Sequence, residues 1–202
     1  MSQTSSQTPL QPTVLADQIF AGEGLLRDAI RVAVANILLI LCAHIIIPLP
    51  WTPVPITGQT FGVLLIAVLL GSRRSALVML MYLAEGISGL PVLAPIGLSG
   101  VFHFFGPTAG YLLSYPVAAF ITGWLVERGA GRTILRLLGV LIAGGVIILA
   151  SGCAWLAVPM HFGWSRAFVA GVAPFLPGDA MKTILIIAAV RGIDLARRDS
   201  RG

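Results

Sequence analysis

Of 202 residues, 57% are hydrophobic and only 10% charged, and the mean hydropathy is +0.94. Soluble domains carry about a quarter charged residues, so this composition excludes an ordinary water-soluble enzyme or binding module. The apolar residues come in long blocks, which points to one integral membrane domain. The formal net charge is +5. That excess suits nucleic acid in other chains, but the basic residues here are placed otherwise, as their positions show below.

The chain opens with MSQTSSQTPLQPT, polar, uncharged and rich in Pro, Ser, Thr and Gln. Residues 1–26 therefore read as a disordered or loosely structured tail. No basic start, apolar run and small-residue cleavage site of a signal peptide occurs there. The membrane domain spans 27–196, and 197–202 form a basic C-terminal tail. No internal repeat of 20–50 residues carries a signature.

A bilayer core of ~30 Å takes about 20 helical residues. Six spans are expected, near 28–47, 55–71, 74–90, 107–127, 133–157 and 178–195. The second is short, and Gly71-Ser72-Arg73-Arg74 joins it to the third in a tight hairpin. The predicted fold is all-α, a bundle of six transmembrane helices. With the N-terminus inside, the cytoplasmic stretches hold Arg27, Arg31, Arg73, Arg74, Arg128, Arg132, Arg136, Arg191, Arg197, Arg198 and Arg201, eleven of the thirteen basic residues. Arg166 and Lys182 fall outside. Short basic loops stay inside, so both termini are expected to be cytoplasmic. The high pI then needs no nucleic acid.

The outer loops are PLPWTPVPITG (48–58), PVLAPIGLSGVFHFFG (91–106) and AVPMHFGWSRAFVAGVAPFLP (157–177). Pro stiffens such loops and Gly permits tight turns. Stiff, apolar loops fold back over helix ends, and apolar walls with few polar groups suit a small-molecule pocket open to the outside.

Polar residues in the apolar blocks are the candidates for that pocket. Asp179 and Lys182, the sole lysine of the chain, stand at i and i+3 on one helix face. They face a cavity as ligand contacts, or serve as a helix N-cap with its ion partner. Glu85 has no basic neighbour in sequence and lines a wet cavity or is held by a structural hydrogen bond. Gln59 and Thr60 open the second span and Asn36 stands mid-span in the first, each able to act as packing glue between helices. Trp51, Tyr82, Tyr111 and Tyr115 lie at the outer pocket or in the aromatic belt found at that level. His44, His103 and His161 lack metal-ligand spacing, so no metal is expected. Cys42 and Cys153 read as buried free thiols. No Walker A sequence, nucleophile elbow or catalytic carboxylate pair occurs, so no catalytic residue is assigned. On the first helix, Ala29 and Ala33 put two small residues on one face, where another helix can approach closely.

Four stretches together resemble the BioY family: IPLPWTPVPITGQTFGVLL (47–65), YLAEGISGLPV (82–92), FGPTAGYLLSYPVAAFITG (105–123) and PFLPGDAMK (174–182). These are the biotin-binding substrate-specificity subunits of energy-coupling-factor (ECF) transporters. The resemblance covers about residues 28–192. It implies a six-helix S component of a bacterial inner membrane, capturing biotin with high affinity from the outer side and needing no cofactor. It also implies partners: a transmembrane coupling subunit (the T component) and two cytoplasmic ATPase subunits. Ala29 and Ala33 match the family's AxxxA docking motif, Asp179 and Lys182 its pair after PGD, and Gln59 its glutamine after TPVPIT. One departure stands out. The family's Gly-rich loop with an Arg is here APIGLSG (94–100), without a basic residue, so Lys182, His103 or backbone N–H groups are left to meet the biotin carboxylate.

Biotin's chemistry agrees with these residue types. Its ureido ring offers N–H donors and a carbonyl, its thioether ring and chain are apolar, and its tail is a carboxylate. Asp179, Gln59 or Glu85, the Pro and aromatic loops, and Lys182 supply the matching groups. Two other readings remain at this stage. One is a self-sufficient secondary transporter using Asp179 and Glu85 as proton carriers, without evident inverted repeats. The other is an S subunit for a different vitamin.

Overall fold

A computed structural model of the chain describes residues 24–95 and 100–199. The expected tail up to residue 23, positions 96–99 of the loop without arginine, and residues 200–202 lie outside the described residues.

The described chain is mostly helical. Helices α1 (Leu25–Ala43), α2 (Gln59–Leu70), α3 (Ser72–Ile87), α4 (Ala109–Glu127), α5 (Ile134–Ala157), α6 (Trp164–Gly171) and α7 (Leu176–Asp199) follow in order. Gly and Pro set most boundaries. Gly71, with φ 78°, turns α2 into α3, and Gly89 and Gly129, with φ 89° and 90°, follow the ends of α3 and α4; a side chain is strained at such φ values. Pro177 sits in the first turn of α7, where its missing N–H costs no helical bond.

Six of these helices follow the six predicted segments. The differences lie at the loop end. The first helix stops at Ala43, before 47, and the second begins at Gln59, after 55. Between them, β1 (Ile46–Ile47) pairs antiparallel with β2 (Ile56–Thr57), in register Ile46 with Thr57 and Ile47 with Ile56. The stretch 157–177, expected as a loop, contains α6. Asp179 is not an N-cap, because α7 starts at Leu176 and the Asp179 N–H already donates to Phe175 O at 2.8 Å.

By length and composition, α4 and α5 are long and apolar enough to cross a membrane, and α6 with α7, bent by 47°, forms a third candidate. The others fall short for physical reasons. Helix α2 has 12 residues and α3 has 16, about 18 Å and 24 Å at ~1.5 Å per residue. Helix α1 carries Arg27, Asp28 and Arg31 in its first two turns.

Helix α4 is central and packs on α2, α3 and α5; α1 covers α2 and α3, and α5 also packs against α6 and α7. Small residues let these helices approach. A Cβ on Gly144 would overlap Thr122 and Leu64, and one on Gly123 would meet the backbone of Gly71. Outward, α1 alone exposes Ile30, Val34, Ile37 and Leu41. Apolar exposure on this scale suits lipid as solvent.

Contacts gather the basic residues at one end. Asp28 binds Arg31 at 2.9 Å and Arg74 at 3.1 Å. Glu127 accepts from the Ser72 N–H at 2.7 Å and its hydroxyl at 2.8 Å. Arg191 donates to Arg132 O at 3.1 Å. The start of α1, the α2–α3 turn, the α4–α5 turn and the far part of α7 therefore share one end of the bundle. The Pro-rich loops and the first turn of α7 occupy the other.

Candidate functional site

At the loop end, three helix starts surround a cavity of about 190 Å³. Helix α2 contributes Gln59 and Thr60, α7 contributes Asp179 and Lys182, and α4 contributes Tyr111, Leu112 and Tyr115 beside Thr108. Pro53, Val54 and Pro55 of the β1–β2 loop, Phe102 and His103 of a 3₁₀ turn (Gly100–Phe105), and Phe175 complete most of the wall. The wall is largely apolar, as in small-molecule sites generally.

Its polar groups fall into two sets. In the first, Lys182 Nζ lies 3.0 Å from Asp179 Oδ1 and donates to Thr60 Oγ1 at 2.7 Å. Both ionic side chains are about four-fifths buried, Lys182 being 17% and Asp179 22% exposed. Each offsets the desolvation of the other, and Asp179 also gains from the N-terminal end of α7. Gln59, buried beside them, donates from Nε2 to Tyr82 OH at 2.7 Å and accepts at Oε1 from Thr57 Oγ1 at 3.1 Å and Tyr115 OH at 3.4 Å. The second set is His103, buried, whose Nε2 lies 3.2 Å from Thr108 Oγ1 at the start of α4. Among the lining residues Asp179 is the one acid.

Tyr111 is keyed into the wall. Its ring fills the space that a Cβ on Gly152 would occupy, and its hydroxyl donates to Gly171 O at 2.6 Å. Thr52 of the β1–β2 loop donates to the adjacent Ala170 O at 2.7 Å. The C-terminal end of α6 thus ties the loop over the cavity to its tyrosine wall.

Of the eight candidate ligand residues, the structure brings Asp179, Lys182, Gln59, Tyr111 and His103 to the cavity. Tyr82, Glu85 and Trp51 do not line it. Tyr82 is fully buried behind Gln59. Trp51 is 69% exposed at the tip of its loop. Glu85 turns instead to α1, where Asn36 Nδ2 donates to its two carboxylate oxygens at 2.8 and 2.7 Å. This leaves the buried Asn36 Oδ1 without a partner, at a cost of ~1–3 kcal/mol for an unmet acceptor. Tyr115, read from the sequence as a pocket or belt aromatic, also lines the cavity, and Thr60 and Thr108 join the wall beyond the ligand candidates. Thr60 had a signal in its place next to Gln59 at the start of an apolar helix; Thr108 had none. Ala29 and Ala33 lie on the exposed side of α1, with Leu26, Ile30 and Val34.

Comparison with known proteins bears on this arrangement. A family model described as "BioY family" matches residues 7–199. "Biotin transporter BioY" of Rhizobium etli is 40% identical over 153 residues, covering 72% of this chain and 80% of that one. "Biotin transporter BioY" of Rhodobacter capsulatus is 38% identical over 180 residues, covering 78% and 92%. Among solved structures, that of "the S-component for biotin from an ECF-type ABC transporter" superposes with TM-score 0.76 at 25% identity, covering 84% of this chain and 91% of that one.

Proposed function

The chain belongs to the BioY family, and from that premise we infer that it is the biotin-binding S subunit of an ECF transporter, taking up biotin from the outer side. The observation that carries this reading is the cavity at the loop end, with a donor–acceptor set of no net charge at Asp179, Lys182 and Thr60 in a largely apolar wall. A ureido ring presents a carbonyl flanked by two N–H groups. Asp179 accepts from an N–H, while Lys182 and Thr60 donate to the carbonyl. The thioether ring and alkyl chain lie along Pro53, Pro55, Phe102 and Phe175. The tail carboxylate meets His103, Thr108 and the N-terminal end of α4, where the helix dipole favours an anion, while the one acid among the lining residues, Asp179, belongs to the other set. In this arrangement His103 and the α4 start take the place of the family's loop Arg.

The same reading assigns six spans in a bacterial inner membrane with both termini cytoplasmic, supported by the gathering of arginines at the end away from the cavity. The exposed Ala29–Ala33 side of α1 docks the T component, and ATP hydrolysis belongs to two partner ATPase subunits. Glu85 favours this over a self-sufficient proton-coupled carrier, because it is held by Asn36 away from the cavity.

The test is titration of the purified chain with labelled biotin, together with mass spectrometry of any co-purified ligand. One biotin per chain, not displaced by an unrelated vitamin, is expected. A different co-purified ligand, or no binding in well-folded protein, overturns the reading.

A further inference from the structure

Helices α1 and α3 each carry one half of the Asn36–Glu85 contact. Asn36 is 4% exposed, and among the described residues it is the partner of the Glu85 carboxylate. One helical turn before Glu85 on α3 stands Tyr82, 0% exposed, which receives the Gln59 amide at 2.7 Å. Gln59 lines the cavity. One turn before Asn36 on α1 stands Ala33, on the exposed face. Hydrogen bonds and two rigid helical turns therefore connect the cavity wall to the outer face of α1 without a gap. Contiguous packed and hydrogen-bonded elements are the physical means by which one site biases another. Neither Tyr82 nor Glu85 lines the cavity, so the burial of Tyr82 and the pairing of Glu85 are left unexplained by ligand contact.

We propose that Asn36 and Glu85 are positioning residues that transmit cavity occupancy to α1: filling the cavity orders Gln59 and Tyr82, and the Glu85–Asn36 tie passes that ordering to the face carrying Ala29 and Ala33. The inference rests on biotin filling this cavity. Ordering at one site that lowers the ordering cost at a second is a coupling in itself, with no large displacement required.

Hydrogen–deuterium exchange of the full chain in lipid nanodiscs, with and without biotin, tests it. The first turns of α2 and α7 report on the cavity, and the amides of 28–36 report on α1. In wild type, biotin should slow exchange in both regions, by about fivefold or more in α1, the lower end of usual coupling factors. The double variant Asn36→Leu/Glu85→Leu replaces both polar partners with apolar ones, a change that need not destabilise. It should keep the slowing at the cavity and lose it in α1. Glu85→Gln, which keeps a hydrogen bond to Asn36, should keep both. If the double variant does not insert, Asn36→Ala removes the tie alone. A cavity that does not respond to biotin in wild type sinks the biotin reading itself. A responding cavity with an indifferent α1, or an α1 that still responds in the tie-less variants, overturns the proposed transmission.

Discussion

Asp179→Asn probes the proposed ureido site most directly. In the wild-type cavity Asp179 Oδ1 holds Lys182 Nζ at 3.0 Å, and Thr60 Oγ1 holds the same ammonium at 2.7 Å. The substitution keeps the shape and one acceptor, removes the negative charge, and leaves Lys182 with Thr60. A hydrogen bond to a charged group contributes ~1.5–3 kcal/mol. Because the two side chains are 17% and 22% exposed, water replaces part of what is lost, and the lower half of that range applies. With ~1.4 kcal/mol per factor of ten, biotin affinity should fall by about tenfold to fortyfold while the chain still inserts and folds. Lys182→Met should weaken binding similarly. Calorimetric titration in detergent gives the affinities, and thermal melting of the same samples reports folding. Wild-type affinity in both variants with a lowered Tm would refute the reasoning, because the pair would then only fasten α7 to α2.

Three further outcomes follow from the same geometry. His103→Ala should reduce the preference for biotin over its uncharged amide, whereas Lys182→Met should weaken both ligands equally; competition titrations separate them, and the reverse result would turn the ligand end for end. Leu at Ala29 or Ala33 should leave biotin binding by the isolated chain unchanged and lower energised uptake and co-purification with the T component; lost binding with intact assembly would assign that face to the fold. Reporter fusions at residue 202 and in the 128–132 turn should read inside and one near residue 97 outside, and a C-terminus outside would contradict the six-span arrangement.

The helices were legible because lipid as solvent demands long apolar blocks, and Gly71, Gly89 and Gly129 mark where such blocks end. Helix α6 was not. Its eight residues are far below a span, they sit between Pro159 and Pro174, and their apolar content matched that of a loop folded onto helix ends. The structure gives them a reason to be helical: the C-terminal carbonyls of Ala170 and Gly171 become acceptors for Thr52 and Tyr111. Those partners lie 118 and 60 residues away along the chain, beyond any local pattern.

The site shows the same division between local and distant causes. Asp179, Lys182 and Gln59 were legible because each stands at the start of an apolar helix beside Pro- and Gly-rich chain, which places them at the mouth of the bundle whatever the packing. Glu85 was not, although its rarity as a carboxylate near the end of an apolar helix marked it. Helical periodicity tells that Glu85 shares a face with Tyr82, three residues earlier, but not what that face meets. Tyr82 is fully buried behind Gln59, so the face points into the seam between helices, and the carboxylate next on it reaches α1. The partner it finds there, Asn36, is 49 residues earlier. A carboxylate within an apolar helix is costly unless something meets it. An asparagine in an otherwise apolar stretch of another helix was the residue able to do so, and the two anomalies account for each other only once α1 and α3 are known to touch.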